Sequence, residues 1–201
     1  MTTITYRKGI IAADSRATIA GIIILPGQMR KLMVSERHGC VYAIAGAANE
    51  ASELVRQIDA QPVLPWYSSK PFETILGEEV QILIGQHDGR LFYFECGYWS
   101  EVDAEFTAIG SGMQAAIAAM HMGADAVKAV EIASLCDSGT DGKIASVKLS
   151  DLKAPKYFLT AAAEESLPKS RSSSRRSSGS KAQPSRSKAP SAASPSKRLR
   201  L

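Results

Sequence analysis

The chain has 201 residues, 45% of them hydrophobic and 22% charged, with a formal net charge of +4. No stretch reaches the about 20 apolar residues of a membrane-spanning helix, and the first residues lack the apolar core of a secretory signal, so neither a membrane protein nor a secreted one is expected. The charge is unevenly placed: residues 166–201 hold ten Lys and Arg, thirteen Ser and no acidic residue, which leaves residues 1–165 with fourteen basic against twenty acidic side chains, net −6.

Taken in order, two β-branched runs, Thr3 to Tyr6 and Gly9 to Ala13, flank Arg7-Lys8-Gly9 as a hairpin would. That turn would return Asp14 to the side of Thr2. Ile22 to Leu25 is a short apolar run stopped by Pro26-Gly27, and Leu32 to Ser35 with Cys40 to Ala45 predicts a second hairpin around Glu36-Arg37-His38-Gly39. The period then changes: Ala51, Leu54, Val55 and Ile58 recur at helical spacing between Ala47 and Asp59, with Asn49 or Ser52 near the start. Pro62, Pro65 and Pro71 forbid a long helix after it. Val80 to Ile84 and Leu91 to Cys96 flank His87-Asp88-Gly89-Arg90 as a third hairpin, with which Phe106 to Ile109 would pair. Two alanine-rich helices, Met113 to Met122 and Ala124 to Leu135, follow on either side of Gly123. Ile144 to Leu149 returns as a strand, and Lys156 to Leu159 is read as one more.

Strand runs followed by helix runs indicate an α+β fold. Residues 1–165 can bury roughly 70% of their unfolded surface, enough for one domain, whereas 166–201, with Pro168, Pro184, Pro190 and Pro195 among Ser, Arg and Lys, is expected to be a disordered basic tail. Cys40, Cys96 and Cys136 lack paired spacing. An odd, sparse count suits a reducing cytoplasmic setting, with Cys136 as a small buried hydrophobe. His38, His87 and His121 have no partners at ligand spacing, so no metal or other cofactor is expected.

The chemistry is carried by Thr2. Were Met1 removed, as the small size of threonine should permit, Thr2 would hold a hydroxyl nucleophile and, in its own α-amine, a base with a pKa of roughly 7.7 to 8.0, near operating pH as a general base should be. The plain alternative is an edge-strand threonine in a chain that keeps Met1. Asp14 ends an apolar run, where a carboxylate is expensive without a partner, and Lys31, in Arg30-Lys31 after the Pro26-Gly27 turn, is the candidate for that partner. A lysine beside Thr2 would favour the deprotonated hydroxyl and a neutral amine.

The run Thr2-Thr3-Ile4, then Gly9-Ile10-Ile11-Ala12-Ala13-Asp14-Ser15-Arg16-Ala17-Thr18, resembles the mature start of catalytic proteasome β subunits and of the peptidase of the bacterial two-component ATP-dependent protease. Four further segments fall in that family's order: Met29-Arg30-Lys31, Ala45-Gly46-Ala47-Ala48, Ala108-Ile109-Gly110-Ser111-Gly112 and Asp137-Ser138-Gly139-Thr140-Asp141-Gly142. The resemblance covers residues 2 to about 150 and implies a four-layer αββα sandwich, the fold of N-terminal nucleophile hydrolases. It gives Asp14 and Lys31 to the Thr2 nucleophile, the Gly46 N–H to the oxyanion, and Ser111, Asp137 and Thr140 to a network around the Thr2 amine. It also maps the specificity pocket onto Ala17, Thr18, Met29, Met33, Ile44 and Ala48, a set without charge that would accept a large apolar side chain. Ser111 would otherwise be a helix N-cap, and Gly46 a tight strand-to-helix connection. Departures from the family pattern are Ala47 for a second glycine, Thr140 for a more usual serine, Asp141 for glycine, and the loss or shortening of a second long helix after Asp59.

The implied function is a threonine-type endopeptidase cutting peptides or unfolded proteins after apolar residues, in a homo-oligomeric ring whose unfolding ATPase is a separate protein. The competing function is a catalytically inactive ring subunit of the same fold. The basic tail is foreign to the family and would bind nucleic acid weakly and without sequence preference, or lie against the acidic body.

Overall fold

A computed structural model describes residues 2–19, 22–67 and 80–155. The strand expected at Lys156 to Leu159, the basic tail and Met1 lie outside these residues. The strands are β1 (Thr3–Arg7), β2 (Ile10–Ala13), β3 (Thr18–Ile19), β4 (Ile23–Ile24), β5 (Leu32–Ser35), β6 (Cys40–Ala45), β7 (Gln81–Gln86), β8 (Leu91–Glu95), β9 (Tyr98–Glu101), β10 (Phe106–Gly110) and β11 (Ala145–Lys148). Helices α1 (Ala48–Ala60), α2 (Met113–His121) and α3 (Ala126–Cys136) complete the chain order β1–β6, α1, β7–β10, α2, α3, β11.

Two antiparallel sheets result. One has the order β10-β1-β2-β11 and the other β5-β6-β7-β8-β9, while β3 and β4 form a separate ribbon. The β1–β2 hairpin turns through Lys8 and Gly9, both at positive φ, and sets Ile4 opposite Ala13. β10 pairs with β1, Thr3 opposite Gly110, and not with the β7–β8 hairpin as its sequence neighbourhood suggested. The reason is that β9 already occupies the outer edge of β8, with Phe94 opposite Trp99.

Period-two alternation buries both faces of the inner strands. In β6, Cys40, Tyr42 and Ile44 face Leu54, Val55 and Ile58 of α1, whereas Val41, Ala43 and Ala45 meet Ile4, Ile11 and Ile109 of the other sheet. The sheets approach so closely at Gly85 that a Cβ there would lie 2.5 Å from Leu149 and 2.7 Å from Ile11. On the far face of the first sheet Ala108 packs against Ala116, Ala119 and Met120 of α2, and Ala12 against Ala126 and Val130 of α3. Alanine at these positions lets the helices lie close to the strands.

Helix ends follow local chemistry. Asp125 caps α3 by accepting from the Lys128 N–H at 2.8 Å, which starts that helix two residues later than its alanine pattern suggests. The α1 N-cap is Ala47, without a side-chain bond, and Ser52 instead bonds back to the Ala48 carbonyl. Between α1 and β7 the described residues hold only a 3-10 turn, Pro65–Tyr67, where Trp66 stacks on Phe92 with ring centroids 5.0 Å apart. The family's second long helix would fall at Gln61 to Lys70; the described part of that segment, residues 61–67, holds no α-helix, and residues 68–79 lie outside the described set. Among the described helices none is long and apolar enough to cross a membrane.

Candidate active site

The site forms where β1 begins. Asp14, just past the end of β2, is 2% exposed and its carboxylate accepts four hydrogen bonds. Oδ1 takes the Thr3 N–H at 2.9 Å and Lys31 Nζ at 2.8 Å; Oδ2 takes the Arg16 N–H at 3.0 Å and the Asp141 N–H at 3.2 Å. Antiparallel pairing of β1 with β2 makes this arrangement, since the same register brings the Asp14 N–H to the Thr3 carbonyl at 3.2 Å. Lys31 sits immediately before β5 and is 4% exposed. Its burial pushes the ammonium below its ordinary pKa, against the pull of the Asp14 charge and hydrogen bond, which act to raise it.

A second cluster lies beside the first. The backbone nitrogen of Thr2 donates to Ser111 Oγ at 3.2 Å. Ser111 donates to Asp137 Oδ2 at 2.6 Å, and Thr140 donates to the same oxygen at 2.6 Å. Asp137 Oδ1 accepts the Gly139 N–H at 3.2 Å. Burial acts to raise the Asp137 carboxyl, but these hydrogen bonds outweigh it and hold the group below its ordinary value. Ser111 therefore does not cap α2; the N-cap is Gly112, without a side-chain bond. Gly110 has φ of 90° and lies so close to Thr2 that an added Cβ would overlap the Thr2 carbonyl, so this approach of β10 to the start of β1 requires glycine.

Thr2, Lys31 and Gly46 line one cavity of about 590 Å³, together with Ala17, Thr18, Met29, Ile44 and Ala48. Gly46 has φ of 92°, a conformation that turns the chain between β6 and α1. Met33 is absent from the lining and packs instead against the core between the second sheet and α1. Arg16, Leu25 and Asn49 also line the cavity, although nothing in their sequence pattern marks them. The charge of Asp141 finds a partner in Arg16, whose guanidinium bridges the Asp141 carboxylate and the Ser138 carbonyl. Arg16 and Asp141 thereby join the end of the first hairpin to the loop that carries Asp137 and Thr140. The buried hydroxyl of Thr3, 2.5 Å from that of Thr140, was likewise unmarked. Cys136, expected to be buried, is exposed at the end of α3, and Cys40 is the buried one. Among the described residues no group of His, Cys, Asp and Glu is placed to hold a metal ion.

The architecture is that of the proteasome-like peptidases. A BPH protein of Thiobacillus denitrificans aligns over 73% of this chain and 95% of its own, with 18% identity and a TM-score of 0.53. A eukaryotic HslV from Trypanosoma brucei aligns over 73% and 97%, with 18% identity and a TM-score of 0.58, and an Anbu variant from Hyphomicrobium sp. strain MC1 over 74% and 82%, with 17% identity and a TM-score of 0.58. At such identities the likeness establishes the fold. No protein-family model matches the sequence, and no curated protein sequence does.

Proposed function

We propose that this chain is a threonine-type endopeptidase of the N-terminal nucleophile class, its layers arranged as an αββα sandwich, which becomes active when the peptide bond before Thr2 is cut. The observation that carries it is the placing of Thr2 at a cavity shared with Gly46 and with Lys31, which is paired to the buried Asp14, the Thr2 nitrogen being tethered to Ser111. The free amine would take the proton of the Thr2 hydroxyl as the oxygen attacks the scissile carbonyl carbon. Lys31 favours the developing alkoxide by its charge and keeps the amine neutral. The Gly46 N–H would bind the oxyanion, a donor worth about 3 kcal/mol in comparable sites. The protonated amine then passes its proton to the leaving nitrogen, and water, activated by the same amine, hydrolyses the acyl ester.

The lining by Ala17, Thr18, Met29, Ile44 and Ala48 suits an apolar side chain on the acyl side of the cut bond. A homo-oligomeric ring is the proposed assembly. It is supported by apolar surface that one chain leaves open, with Ile22 84%, Met122 89% and Leu135 85% exposed. An unfolding ATPase would be a separate protein.

The test is mass spectrometry of the mature protein followed by treatment with epoxomicin, with which the Thiobacillus denitrificans BPH protein has been solved in complex. The expected result is a chain beginning at Thr2 and a covalent adduct confined to that residue. A chain that retains Met1 and forms no adduct would instead indicate an inactive ring subunit. For the basic segment 166–201 we propose weak, sequence-independent binding to nucleic acid. The full chain should then bind DNA or RNA at low salt with a steep loss as salt rises, and a chain ending at Glu165 should not; equal binding by the two refutes it.

A further inference from the structure

Each hydroxyl carries a single proton, and that constraint orients every bond of the cluster beside Thr2. Thr140 Oγ1 spends its proton on Asp137 Oδ2 at 2.6 Å. The Thr3 hydroxyl, 2.5 Å from Thr140 Oγ1, must therefore be the donor of that pair. Ser111 likewise spends its proton on Asp137 Oδ2, at 2.6 Å rather than on the Thr2 carbonyl at 3.4 Å, and keeps its lone pairs for the Thr2 nitrogen. Two donor chains thus converge on one carboxylate oxygen: Thr3 through Thr140, and Thr2 N through Ser111.

Since Thr3 follows Thr2 in the chain, the circuit closes on the strand that carries the nucleophile. The Thr3 backbone N–H meanwhile holds Asp14 Oδ1 at 2.9 Å, the oxygen that binds Lys31. Thr3 is fully buried. Gly112 stands where a Cβ would overlap Thr3 Oγ1 and lie 3.0 Å from Thr140 Oγ1 and 3.2 Å from Asp137 Oδ2, so the space around this circuit is filled.

We infer that Thr3 is a positioning residue for the proposed reaction: its hydroxyl, acting through Thr140 and Asp137, holds Ser111 as an acceptor and so sets the orientation and basicity of the Thr2 amine. The inference rests on the proposed function above. Donors in a chain polarise one another. Without the Thr3 donor the Thr140 bond to Asp137 weakens, Asp137 draws more on Ser111, and Ser111 Oγ becomes the stronger acceptor. A stronger acceptor favours the ammonium form, so the amine pKa rises and less of the base is available at neutral pH.

The experiment compares wild type, Thr3→Val, which keeps the branched shape without the hydroxyl, and Thr3→Ser, which keeps the hydroxyl. Thr2→Ala serves as the control for the proposed function itself. Thr3→Val should lower kcat about three- to tenfold, the scale of one lost hydrogen bond, with KM little changed, move the acidic limb of the pH–rate profile upward, and be rescued by Thr3→Ser. The amine pKa is read independently of turnover, from the pH dependence of Thr2 α-amine acylation by acetic anhydride, followed by mass spectrometry. The same shift must appear there. An acylation profile in Thr3→Val equal to wild type, a Thr3→Ser variant as impaired as Thr3→Val, or a Thr2 nitrogen that is never acylated overturns the inference. Activity that survives in Thr2→Ala refutes the function instead.

Discussion

Thr2→Ala is expected to abolish peptide hydrolysis, by at least about a thousandfold in kcat/KM, and to abolish covalent labelling with it. The substitution removes the only atom proposed to form the acyl ester and leaves the backbone donor to Ser111 in place. The Asp14 contacts come from Thr3, Lys31, Arg16 and Asp141, so the fold keeps its tie at this corner. Thermal unfolding should therefore stay close to wild type while activity disappears. Thr2→Ser, which retains both hydroxyl and amine, should remain within about tenfold of wild type, since the chemistry requires an oxygen nucleophile and only secondarily its methyl group. The measurement is hydrolysis of a fluorogenic peptide ending in an apolar residue. Substantial turnover by Thr2→Ala would place the nucleophile elsewhere.

Asp14→Asn is expected to have the largest effect on stability. It takes the counter-charge from Lys31, whose side chain is 3% exposed, and turns an amide N–H or a weaker acceptor toward donors that a carboxylate satisfied. Removing one partner of a buried ion pair costs about 3 to 5 kcal/mol, and hydrolysis should be lost as well. The pH dependence has a definite sign. Lys31 in the folded chain lies below the unfolded value of 10.5, so between those two values the unfolded chain binds more protons and stability from this group rises with pH. Asp14 is what holds the lysine up. Without it the window widens to lower pH, and the variant's deficit should shrink as pH rises. Urea unfolding at about pH 7 and about pH 9 checks this. A deficit that grows toward alkaline pH would mean that Lys31 is not the group left uncompensated. Adding Lys31→Met to Asp14→Asn should recover part of the lost stability without recovering hydrolysis.

The three local hairpins and α1 were legible because period-two alternation, turn residues and helical spacing are properties of neighbouring residues. What escaped is non-local or short. The partner of Phe106 to Gly110 lies at the other end of the chain, in β1, and no local pattern points there. Tyr98–Glu101 and the two-residue strands β3 and β4 are too brief for alternation to stand out. The ionic core of the site could be anticipated from the cost of leaving Asp14 unpaired in an apolar run, whereas its other donors are backbone N–H groups, which a sequence does not display. Thr3 and Thr5 alternate within an apolar strand, and both are fully buried. The Thr5 hydroxyl reaches the Ala126 carbonyl at 2.8 Å and that of Thr3 reaches Thr140. Two polar side chains on one buried face was the signal available for Thr3. Met33 packs beside α1 and not at the cavity because the cavity ends short of it along β5, an extent that spacing does not display. The Asp141 charge became intelligible only once Arg16 was seen across from it.

The tether between Thr2 and Ser111 uses a single N–H. A peptide nitrogen has one and a free α-amine has two, so either can make the bond; what the peptide nitrogen lacks is a basic lone pair. Under the proposed mechanism the protein is therefore latent by chemistry and not by shape. The framework of Asp14, Lys31, Ser111 and Asp137 can be complete while the catalyst is silent, and one hydrolysed bond switches it on with no part needing to move. Such a design separates the time of folding from the time of danger, allowing a protease to be built and assembled before it has the means to cut anything, its neighbours included.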